Sequence, residues 1–69
     1  MPKLVDDLDV YRTANVLIKQ HGSNAVLFAT GQADELLEKG DMDGAVVWRR
    51  ISRAVEQLRR QRREGELLN

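Results

Sequence analysis

Four groups of side chains in this 69-residue chain have types and spacings that could do chemistry. The first is the turn Asp41-Met42-Asp43-Gly44, where alternating carboxylates suggest a calcium loop. Such a loop needs oxygen ligands at positions one, three and five, Gly at six and Glu at twelve. Counted from Asp41, position five is Ala45, six is Val46 and twelve is Ser52, so the ligand set is not there. Carboxylates just ahead of an apolar helical pattern fit better as caps, accepting the unpaired N–H groups of the first turn. Gly44 then reads as a position of close helix–helix approach.

The second is His21, the one histidine in a chain without cysteine. One imidazole cannot build a zinc site of the usual composition. As a general base it would need a nucleophile and an orienting carboxylate beside it. Ser23 is too near in sequence to be that nucleophile and suits a capping role. A histidine at a helix C-terminus is favoured by the dipole, so its role is structural.

Third come Asp34, Glu35 and Glu38, a solvated acidic face that can pair with arginines within or between chains. The fourth group is the arginines Arg49, Arg50, Arg53, Arg59, Arg60, Arg62 and Arg63, spaced along one helix so that they could track phosphates. Two facts weigh against nucleic acid as the main partner. The formal net charge is zero, and aromatic residues make up 4% of the chain, leaving nothing for base stacking once Trp48 joins the apolar stripe. No Gly-rich phosphate loop or nucleophile elbow is present, and so short a helical chain has little room for a ligand pocket. The expectation is a protein that is not an enzyme and that binds no cofactor and no metal.

Helices must position all of these groups. Asp6, Asp7 and Asp9 suit a helix N-terminus, and Val10, Tyr11, Ala14, Leu17, Ile18 and His21 then recur on one face. Gly22 suits the C′ position and Ser23 the next N-cap. In the second helix Ala25, Val26, Ala29, Ala33, Leu36 and Leu37 form the stripe, small enough for a neighbour to come close. Phe28 lies at its edge, while Leu27 and Gly31 project to the far side. Gly40 ends this helix, and Asp41 or Asp43 caps the third, whose stripe is Val47, Trp48, Ile51, Ala54, Val55 and Leu58. Arg62 interrupts that stripe, so packing should stop near Leu58 and the helix near Arg63. No stretch alternates long enough for a strand. The pattern predicts an all-α, three-helix antiparallel bundle, with helices at about 7–21, 24–39 and 42–63. It forms a single domain over 1–69, with 1–5 and 65–69 as disordered ends.

Composition bounds the rest. The length is near the lower limit for folding without disulfides or metals, and the absence of cysteine fits a reducing compartment. There is no N-terminal apolar stretch of signal-peptide length. The uncharged run 20–33 is broken by polar residues and glycines, so no membrane span is expected. A cytoplasmic protein follows. Charge is unevenly spread: residues 1–44 hold eight acids against four basic residues, and 45–69 hold seven arginines against three acids, about −4 and +4. Such halves attract each other or present a charged surface to a partner.

Several motifs carry a resemblance: Tyr11-Arg12-Thr13-Ala14, His21-Gly22, Ala33-Asp34-Glu35-Leu36-Leu37, Gly40-Asp41-Met42-Asp43-Gly44-Ala45 and Trp48-Arg49-Arg50-Ile51. Over about Leu8 to Leu58 the chain resembles a family of small bacterial proteins, familiar mainly from alphaproteobacteria and classed as a domain of unknown function. The resemblance implies a bacterial cytosolic origin and no particular activity. The turn, with Ala45 after it, is also similar to a single tetratricopeptide-type hairpin, which implies two antiparallel helices joined by a short turn and no repeat array.

The functional expectation is a small interaction or adaptor module that self-associates, as a homodimer, or binds another protein. Its candidate partner-binding residues are Arg49, Arg50, Arg53 and Arg60 on the third helix and Leu27, Phe28 and Gly31 on the second. The alternative is a nucleic-acid-associated protein using the arginine face.

Overall fold

A computed structural model describes the backbone of residues 7–68 and the side chains of residues 7–61. All of it is helix or tight turn: α1 (Asp7–His21), a 3-10 turn (Gly22–Asn24), α2 (Ala25–Glu38) and α3 (Met42–Leu68). Helical backbone therefore runs in two stretches, 7–38 and 42–68, where the sequence predicts three separated helices. The junction of the first two is not a clean break. Gly22 takes φ 57°, which stops α1, and residues 22–24 carry on as a 3-10 turn into α2. Ser23 lies inside that turn and is not the expected N-cap. The N-cap is Asn24, without a side-chain cap bond.

The junction between α2 and α3 is built from hydrogen bonds that can be followed one by one. Gly40 takes φ 86°. The N–H of Gly40 donates to the Leu37 carbonyl at 3.0 Å and that of Asp41 to the Leu36 carbonyl at 2.8 Å. This is the Schellman pattern, which satisfies carbonyls a helix end would otherwise leave orphaned. Asp41 then opens α3: its carboxylate accepts the Gly44 N–H at 2.9 Å, and its carbonyl accepts the Ala45 N–H at 3.1 Å. The expected close approach at Gly44 is present: a Cβ there would meet Asp41 Oδ2 at 2.8 Å and Leu36 Cδ1 at 3.0 Å.

The core follows the predicted stripes. Val10, Ala14, Leu17 and Ile18 of α1, Ala25 and Ala29 of α2, and Ile51, Ala54 and Val55 of α3 are buried together. Tyr11, Val26, Val47, Trp48 and Leu58 pack partly buried against them. Six of the eleven buried apolar residues are alanine (Ala14, Ala25, Ala29, Ala33, Ala45, Ala54), so the helices lie close and each contact contributes little area. No polar or charged residue is buried among the described residues.

At 27 residues α3 is about 40 Å long, and both shorter helices pack against it. The C-terminal part of α3 differs from expectation. The helix passes Arg63 and continues through Gly65 to Leu68, over most of the segment expected to be loose. One glycine costs only about 1 kcal/mol in a helix that already propagates. The expected disordered start at 1–5 and Asn69 lie outside the described residues. Among the described residues no helix is long and apolar enough to cross a membrane.

Candidate partner-binding surfaces

The seven arginines of α3 divide by what they touch. Arg50 reaches toward α1 at the surface, its Nη2 2.7 Å from Asp7 Oδ1, with the two side chains 40% and 87% exposed, so it is engaged within the chain rather than free on the outer face. The correction has a simple cause: a guanidinium at the edge of the stripe finds the acidic first turn of α1 within reach. Arg59 donates from Nη1 to the Ser23 carbonyl at 3.4 Å, tying the 3-10 turn to α3. Arg49, Arg53 and Arg60 are exposed and form no ion pair with any described residue. The side chains of Arg62 and Arg63 lie outside the described set.

The α2 candidates also separate. Leu27 is 73% exposed. Four residues on, Gly31 is exposed as well, with nothing within 4 Å of where a Cβ would stand. Phe28 behaves differently. Its ring stacks on His21 at a centroid distance of 4.4 Å and meets the edge of Trp48 at 6.0 Å. It forms an aromatic clasp between the end of α1, α2 and α3, with part of the ring still exposed, as its place at the stripe's edge predicts. His21 serves the same clasp. Asp34, Glu35 and Glu38 are exposed beyond Gly31 and pair with no described residue.

Four exposed apolar side chains escape the sequence reading: Leu8 and Val16 on α1, and Met42 and Val46 on α3. Met42 is 62% and Val46 55% exposed. The signal that finds them is spacing: 42, 46, 49, 53 and 60 fall on one helical stripe, opposite the buried Ile51 and Val55.

Cross-helix polar contacts fix how these faces sit. The Tyr11 hydroxyl donates to Gln57 Oε1 at 2.6 Å, and Thr30 and Ser52 hydroxyls share a hydrogen bond at 3.3 Å. Between α1 and α3 a cleft of about 200 Å³ is lined by Asp7, Tyr11, Arg50, Arg53 and Gln57. A second, of about 350 Å³, is lined by Val26, Glu56, Arg59 and Arg60. Both are at or below the lower end of the range for small-molecule sites. Among the described residues no group of three metal-ligating side chains forms. Asp41, the residue that suggested a cation site, spends its carboxylate on the Gly44 N–H.

No protein-family model, curated protein or solved structure matches the chain.

Proposed function

We propose that the protein is a small interaction module without catalytic chemistry, which self-associates through the outer face of α2. The observation that carries this reading is the pair Leu27 and Gly31: one large apolar side chain about three-quarters exposed, and one helix turn later a glycine with open space above it. Nothing among the described residues explains either. An exposed mid-helix glycine costs about 1 kcal/mol relative to alanine. A second helix crossing at Gly31 recovers that cost, because its backbone can approach closely where no side chain stands.

A twofold arrangement suits this face. Crossing α2 on its copy at Gly31 sets Leu27 of one chain opposite the stem of Glu35 of the other, about 6 Å from the crossing point. The two acidic ends then point apart. The fold we infer for each copy is a three-helix antiparallel bundle. It is supported by the pairing of Ser23 with Arg59, Thr30 with Ser52 and Leu36 with Gly44, whose numbers run in opposite directions along α2 and α3. We place the protein in the bacterial cytoplasm, on the strength of its motifs and its lack of cysteine.

Light scattering tests the reading. Leu27→Glu should shift the species from dimer to the 7.9 kDa monomer while leaving helicity unchanged, since the residue is 73% exposed and lies outside the buried core. An unchanged mass for the variant would refute it.

A further inference from the structure

A second surface lies on α3 and rests on the same reading of the chain as an interaction module. Met42, Val46, Arg49, Arg53 and Arg60 are exposed and follow one another at helical spacing along a single stripe of about 27 Å. The stripe is graded. Its N-terminal end is apolar, with Met42 and Val46 more than half exposed, and its remainder is cationic. Asp43 and Glu56 are the acids within its span, and Arg49, Arg53 and Arg60 have no ion-pair partner among the described residues. A purely structural account would put solvated polar residues at 42 and 46 and would not leave three guanidinium groups in line.

We infer that this stripe docks an acidic amphipathic helix of a partner protein, lying parallel to α3. Two helices share the same rise per residue, so a register can be written down. Leucine-type side chains at partner positions i and i+4 cover Met42 and Val46. Carboxylates at i+7 or i+8 reach Arg49, and one at i+11 reaches Arg53. Apolar contact supplies burial, and the charge pairs set direction and register. Nucleic acid fits the same stripe less well. Phosphates would find three arginines, but two exposed apolar side chains at one end, with Asp41 and Asp43 beside them, face a polyanion unfavourably.

The test is a fluorescence-anisotropy titration with a designed helical peptide: leucines four residues apart, then glutamates seven, eight and eleven residues after the first leucine. A scrambled peptide of equal composition and a single-stranded DNA oligomer serve as comparisons. We expect the designed peptide to bind. Arg49→Glu with Arg53→Glu should weaken binding at least about tenfold. Met42→Ser with Val46→Ser should weaken it about threefold or more in 0.3 M salt, where charge attraction is screened. Leu27→Glu should bind as well as the natural chain, which separates this surface from self-association. The inference is overturned if the scrambled peptide binds equally, if the Met42/Val46 change has no effect, or if the DNA oligomer binds more tightly. Loss of binding in Leu27→Glu would also overturn it, by moving the contact to α2.

Discussion

The carboxylate of Asp41 accepts the backbone N–H of Gly44 at 2.9 Å, three residues on, and so begins α3 in the same residue that completes the end of α2. Asp41→Ala removes the cap and leaves the Schellman bond of its own N–H in place. We expect a loss of about 1 kcal/mol, or roughly 4–8 °C in Tm for a domain of this size. Thermal melting followed by circular dichroism measures it.

Gly44 should behave unlike an ordinary helix glycine. Replacement by alanine normally stabilises a helix interior by about 1 kcal/mol. Here the new Cβ would stand 2.8 Å from Asp41 Oδ2 and 3.0 Å from Leu36 Cδ1, so the cap must open to admit it. Gly44→Ala should therefore destabilise. The same change made on an Asp41→Ala background should recover much of the propensity gain, because the obstructing carboxylate is gone. Urea unfolding of the two single variants and the double variant gives the coupling directly.

Two polar contacts between α1 and α3 should differ in worth. Tyr11 donates a 2.6 Å hydrogen bond to Gln57, from a ring that packs against the core. Asp7, in contrast, pairs with Arg50 through a side chain that is 87% exposed. Tyr11→Phe should cost about 0.5–1.5 kcal/mol. Asp7→Asn should cost no more than about 0.5 kcal/mol, and less as salt is added. Parallel urea melts at low and high salt decide the order.

The alanines at the helix contacts set how closely the helices pack. Ala29 is fully buried, between elements that approach closely because its side chain is small. Ala29→Leu should destabilise by about 1–3 kcal/mol or more through overpacking, enough to unfold a sizeable fraction of so small a domain. The loss of near-ultraviolet signal from Trp48 would report it.

The helix faces and their stops were legible because they depend on local rules. Val10, Ala14, Leu17 and Ile18 repeat at helical spacing, and Gly22 and Gly40 supply the positive φ that ends each helix. What the pattern could not resolve sits at stripe edges, where tertiary neighbours decide. Phe28 has the wheel position of a half-exposed residue, and only the nearby rings of His21 and Trp48 make it a clasp. Arg50 has the wheel position of an outer arginine, and only the start of α1 engages it. Met42 and Val46 are ordinary apolar letters near a helix start. Their significance appears once neither is covered. α3 outruns its apolar stripe because a helix that already propagates does not need packing to continue, and Gly65, without a left-handed cap motif, only weakens it.

The α2 face is tested most directly by sedimentation equilibrium on the natural chain and Gly31→Ala, with urea stability measured on both. If α2 meets its copy at Gly31, the natural chain sediments at twice the 7.9 kDa monomer mass. The added methyl group then weakens that dimer while raising the stability of the monomer by about 1 kcal/mol. A natural chain that stays monomeric through the micromolar range would contradict the account, as would an alanine variant that dimerises as well as the natural chain.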